Sequence, residues 1–140
     1  MNGLFLTTIS YTKNDGREQK VTEQYLLDSF SYAEAESMIA ERFGCQNLKI
    51  VNLIKPRIAE VFVTNDTACE RYYKVTVAFI VIDEKTALEK RTKTVILVQA
   101  KDFDDAVRRF KNGMSGTLAD YEIYSVVETP ILEYINPNTK

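Results

Sequence analysis

The chain contains no histidine. That removes the commonest general base and the commonest zinc ligand. Cysteine is nearly as scarce: Cys45 and Cys69 stand far apart with no CxxC spacing. Too few soft ligands remain for a zinc site, and the two are expected to stay as buried free thiols. An excess of one charge is missing too. Net charge is −2, so no global basic field draws in nucleic acid. Charges divide evenly between the halves, so neither half is a polybasic or acidic tail. No apolar run approaches the ~20 residues of a membrane span, and Met1 to Thr7 lacks the basic start of a signal peptide. The expectation is a soluble cytoplasmic protein with no membrane contact.

Catalytic motifs are likewise absent. Neither GxSxG nor a glycine-rich loop ending in Lys-Ser/Thr occurs. Ser115-Gly116-Thr117 has no histidine to activate its serine and reads as a helix C-terminal loop. Asp102, Asp104 and Asp105 sit together, but a hard cation needs convergent oxygens from a structured loop. They read better as a helix cap followed by acids that favour the positive end of the helix dipole. No enzyme activity, cofactor or metal is expected.

What the chain does contain is an internal repeat. Ser31-Tyr32-Ala33-Glu34-Ala35 and Asp102-Phe103-Asp104-Asp105-Ala106 match at an offset of 71 residues. Tyr25-Leu26-Leu27 precedes the first as Ile96-Leu97-Val98 precedes the second. After the helices, Asn52-Leu53-Ile54 answers Ser125-Val126-Val127, and Ile58-Ala59-Glu60 answers Ile131-Leu132-Glu133, at an offset of 73. The expected fold is α+β: one domain of two tandem hairpin–helix–strand repeats, residues 1–64 and 65–140. They form antiparallel sheet, with one helix per repeat packed against it.

Alternating apolar residues predict strands over 4–12 and 21–28, joined at Asn14-Asp15-Gly16. Ser31 with Glu34 forms a capping box, Tyr32, Ala35, Ile39 and Phe43 line a helical face, and Gly44 is the expected left-handed stop. Strands over 48–54 and 58–63 follow, split by Pro56. A single helical turn is expected near Cys69. Strands over 73–83 and 91–100 come next, apolar on both faces and therefore covered on both. Asp102 caps a second helix with Phe103, Ala106, Val107, Phe110 and Met114 inward. Its outer Arg108, Arg109 and Lys111 are expected to be solvated and paired with Asp104 and Asp105. Strands over 121–128 and 131–135 close the chain, and 136–140 reads as a frayed tail. Matched register predicts that Tyr32 and Phe103 occupy equivalent buried sites, as do Ala35 and Ala106. From the middle, four strands then a helix resemble the repeat of the PUR and Whirly single-strand-binding folds.

The run Met114-Ser115-Gly116-Thr117-Leu118-Ala119-Asp120-Tyr121-Glu122-Ile123, followed by Glu128-Thr129-Pro130-Ile131, resembles a domain-of-unknown-function family, number 4494. Glu70-Arg71-Tyr72-Tyr73-Lys74-Val75 and residues 92–100, 21–28 and 33–36 share the likeness. The resemblance implies kinship with gut bacteria of the Bacteroides type and their phages, and single-stranded DNA binding as proposed for some phage members. It carries no catalytic or binding residues with it.

The residues themselves offer one cluster. Tyr72, Tyr73 and Lys74 face Lys90, Arg91 and Lys93 across the expected second hairpin. Aromatics for stacking beside cations for phosphate are what a single-strand binder needs. Tyr72, Lys74, Lys90, Arg91 and Lys93 are the candidate contacts to single-stranded DNA or RNA, with low sequence specificity. The plainer reading makes Tyr73 core and the lysines solvent for a sheet edge. The alternative function is a non-catalytic protein-interaction or structural module. A hairpin apolar on both faces also suggests a homodimer.

Overall fold

The computed structural model describes residues 3–14, 18–44 and 47–136. Asp15 and Gly16 of the expected turn, Cys45 and residues 137–140 of the tail lie outside them. The elements run β1 (Gly3–Asn14), β2 (Glu18–Ser29), α1 (Tyr32–Phe43), β3 (Lys49–Ile54), β4 (Glu60–Phe62), β5 (Arg71–Ile82), β6 (Glu89–Ala100), α2 (Phe103–Gly113), β7 (Asp120–Glu128) and β8 (Ile131–Ile135). The class is α+β.

The chain forms two compact units. The first comprises Met1–Pro56 and Pro130–Lys140, the second Arg57–Thr129. In the first, the sheet order is β3-β1-β2-β8. Phe5, Ile9, Tyr25, Leu27 and Ile135 form its inner face and pack with Ala35 and Ile39 of α1. In the second, the order is β4-β6-β5-β7. Val75, Val77, Ile96 and Val98 pack with Phe110 and Met114, and Phe62, Tyr121 and Ile123 close the sides. Reversed, that order is β7-β5-β6-β4, the same arrangement as the first.

The correspondence extends to register. Thr7 faces Tyr25 in the first hairpin, and Val75 faces Ile96 in the second. The next residues meet the same irregularity: β3 bulges opposite Thr8 and Ile9 of β1, and β7 opposite Thr76 and Val77 of β5. Both helices are capped alike. Ser31 accepts from the Glu34 N–H and Asp102 from the Asp105 N–H. The acid at the third helical position then reaches back: the Phe30 N–H donates to Glu34 and the Lys101 N–H to Asp105, each at 3.1 Å.

Several expectations change. The sheets are mixed rather than wholly antiparallel, because β8 runs parallel to β2 and β4 parallel to β6. Each parallel edge strand belongs, by sequence, to the other repeat. The proline-broken segments do not turn back on their own sheets; Pro56 and Pro130 stand where the chain leaves one unit for the other. The sequence repeats and the compact units are therefore different divisions of the chain. The PUR-like and Whirly-like grouping is not formed either, since β3 joins the first sheet and β4 to β6 the second. Tyr32 and Phe103 are equivalent but not buried, at 47% and 53% exposed. Each is the first residue after its cap, before the helix has turned its stripe inward. Ala35 and Ala106, three residues on, are both fully enclosed. Tyr32 still packs edge-on to Phe5, with ring centroids 4.9 Å apart. Gly44 ends α1 at φ −1°, outside the left-handed region. The segment before β5 is a turn rather than a helix, with the Cys69 N–H donating to the Asp66 carbonyl at 3.1 Å.

Candidate nucleic-acid interface

Alternation along β5 and β6 decides which candidates meet. Val75, Val77, Ile96 and Val98 point toward α2, so Lys74, Thr76, Ala78, Arg91 and Lys93 point away from it. Pairing sets Lys93 across from Ala78 and Arg91 across from Ile80, while Lys74 lies between Leu97 and Val127. Lys74, Arg91 and Lys93 thus share one face, on which Tyr72, Ala78 and Leu97 are buried. Lys74 does not face the cations of β6 as expected, because it pairs with Leu97, four residues along the strand from Lys93. Lys90, across from Val81, has the opposite parity and does not share that face. Tyr72 is only 5% exposed, and a ring so enclosed offers no face to a base. Tyr73 is buried with Ala100 and Ala106 on the helix side, its hydroxyl 3.4 Å from Glu128.

The aromatic that the face does present is Tyr124, 43% exposed. The β7 bulge supplies it. Ser125 faces Thr76 and Ile123 faces Val77, leaving Tyr124 as the extra residue. Bulges re-aim side chains in this way beside functional surfaces. The ring is held on two sides: Lys93 Nζ lies 5.3 Å from its centroid, and Arg91 Nη1 donates to its hydroxyl at 3.4 Å. Arg91 also pairs with Glu122 and, at 3.3 Å, with Glu89. Hydrogen bonds to Glu122 and Tyr124, with the Glu122 charge, raise Arg91 above the ordinary guanidinium value. Lys74 makes no ion pair among the described residues. In the first unit the corresponding positions are Leu6, Lys20, Thr22 and Val51, so the aromatic and most of the charge belong to the second alone.

The acidic group at the start of α2 serves the helix. Asp102 caps it, and Asp105 is buried, its side chain 1% exposed. Asp105 Oδ2 accepts from Arg109 Nε at 2.8 Å, the Lys101 N–H at 3.1 Å and Cys69 Sγ at 3.6 Å, while Oδ1 accepts from Arg108. Burial pushes the Asp105 carboxyl up. The bonds from Arg109, Lys101 and Arg108 outweigh that and hold it well below the usual carboxylate range. Burial raises the Cys69 thiol, against the opposing charge of Arg109. Among the described residues no group of three or more Cys, Asp or Glu side chains is arranged to hold a metal, and no helix is long and apolar enough to cross a membrane.

Nothing in the sequence pattern singled out Tyr124, since its exposure follows from a bulge that depends on pairing with β5. No curated protein and no solved structure matches the chain. The family described as Domain of unknown function (DUF4494) matches residues 4–138, nearly the whole of both units, and the chain belongs to it.

Proposed function

We propose that this protein binds single-stranded nucleic acid, without strong sequence preference, at the exposed side chains on the side of its second sheet that points away from α2. The observation that carries the reading is Tyr124, an exposed ring held by Lys93 and Arg91 on the face that also bears Lys74. A fixed ring loses little freedom when a base stacks on it, and the cations beside it meet the backbone. Glu122 and Glu89 temper Arg91, so phosphate contact falls mainly to Lys74 and Lys93. Lys90 adds charge only at the hairpin end. A phage-derived origin belongs to the same proposal.

Fluorescence anisotropy with a labelled oligonucleotide at low salt tests it. Affinity should favour single strands over duplex and fall with salt by about 0.7 log units per log unit for each phosphate contacted. No binding at roughly tens of micromolar protein, within the usual nonspecific range of about 10⁻⁴ to 10⁻⁶ M, would overturn it. One feature favours a protein-interaction module instead: Val81, Ile82 and Leu88 are exposed together at the hairpin end. A twofold dimer through that end is the form this second reading takes, and analytical ultracentrifugation tests it.

A further inference from the structure

The second unit holds a cavity at the β4 edge of its sheet, where β4 meets α2. Its volume is about 460 Å³, within the range of small-molecule sites. Val61, Phe62 and Gly113 supply apolar lining, and Arg108, Arg109 and Asn112 the polar part. Phe62, paired with Val98, lies on the α2 side of the sheet, while Val61, paired with Leu97, has the parity of the opposite face.

Two details make the cavity a built one. Phe62 stacks on the buried Phe110 at 6.0 Å between centroids and lies where a side chain at position 113 would stand. A Cβ on Gly113 would come within 2.5 Å of the Phe62 ring, so the flat lining requires glycine. Arg109 is likewise fixed, by Asp105 at 2.8 Å and by Asp66 at 3.4 Å. On the far side the Gln99 amide is engaged at both ends, accepting from the Thr64 N–H and donating to the Cys69 carbonyl.

The donors are not exhausted by these contacts. A guanidinium carries five N–H groups. Arg109 uses its Nε and one Nη toward the two aspartates, and Arg108 uses one Nη toward Asp105. The remaining N–H groups of both arginines, and the Asn112 amide, have no partner among the described residues. Arginine N–H pairs match the two oxygens of a carboxylate, and the apolar lining suits a flat ring. We infer that this cavity binds a small aromatic acid, its ring against Phe62 and Gly113 and its carboxylate on Arg108 and Arg109.

The test is a titration of the ¹⁵N-labelled full chain with benzoate, followed by amide chemical shifts, with benzyl alcohol as the uncharged control. Benzoate should produce saturable shifts around Val61, Asn112 and Gly113, with Kd on the order of 1 mM for so small a ligand. Benzyl alcohol should bind at least about tenfold more weakly, a gap of about 1.4 kcal/mol. Arg108→Ala should weaken benzoate by a similar factor. Because Arg108 also touches Asp105, Asn112→Asp is the second variant: it puts a negative charge on the wall at an exposed position and should weaken benzoate but not benzyl alcohol. Equal binding of the two probes, shifts confined to other regions, or no shifts up to roughly ten times that Kd would each overturn the assignment.

Discussion

Replacing Asp105 with asparagine should destabilise the protein by about 3 kcal/mol. The carboxylate is buried, and its Oδ2 alone accepts from Arg109, the Lys101 N–H and Cys69. Asparagine keeps one carbonyl oxygen and turns the other position into a donor. Wherever that NH₂ points, it meets an existing N–H. Removing one partner of a buried pair costs about 3–5 kcal/mol. The lower end applies because Arg108, with 61% of its side chain exposed, regains water easily. Urea unfolding of the full chain measures the loss as a lower midpoint at unchanged slope. The pH dependence provides a second check. The folded-state pKa lies below the unfolded value of about 3.9, so this stabilisation is fully present above that value. It is lost as pH falls through the acid range toward the folded pKa. Asp105→Asn should therefore flatten the decline of stability below about pH 4. A loss under about 1 kcal/mol, the scale of an exposed pair, with an unchanged acid slope would refute the reasoning.

Tyr124→Ala should lower single-strand affinity by about 1–3 kcal/mol, the value of one stacked base, with little change in salt slope. Lys74→Ala with Lys93→Ala should instead flatten that slope, and anisotropy at several salt concentrations separates the two effects. Gly113→Ala should destabilise by about 1 kcal/mol or more in urea unfolding, despite alanine's better helix propensity, because the added methyl overpacks against Phe62. Ser31→Ala should cost about 1 kcal/mol by leaving the Glu34 N–H without its 3.2 Å acceptor. A thermal-unfolding midpoint equal to that of the parent chain would contradict the cap assignment.

Features with local causes were legible in the sequence. Ser31 and Asp102 cap helices because a side-chain oxygen reaches an N–H only three residues away, whatever the rest of the chain does. The repeat was legible for a related reason: Ala35 and Ala106 fill matching enclosed positions and tolerate little else there. The partners of β4 and β8 were not legible. Both strands are short, and their apolar pattern suits any open edge, so tertiary context decides which sheet receives them. The same limit governed the candidate site. The hairpin reading set Lys74 opposite Lys90, Arg91 and Lys93, but the register sets it opposite Leu97, four residues along β6 from Lys93. Of that cluster, parity leaves only a face shared by Lys74, Arg91 and Lys93. Tyr72 shares their parity yet is enclosed, because parity names a face and not how far that face is covered. Tyr124 required knowing that β7 bulges.

The exchanged edge strands also set an order of events during synthesis. The second unit is one continuous stretch of chain, whereas the first needs residues 131–135 to complete the sheet that β1 begins. As the chain leaves the ribosome, the outer edge of β2 waits through about 100 residues of further elongation, roughly 5–20 s at typical rates. Its Leu26 and Leu27 backbone groups stay unpaired for that time, open to the wrong strand. Translation that stops before Ile131 would leave the edge open for good, so the closing of the first sheet waits on the arrival of residues 131–135.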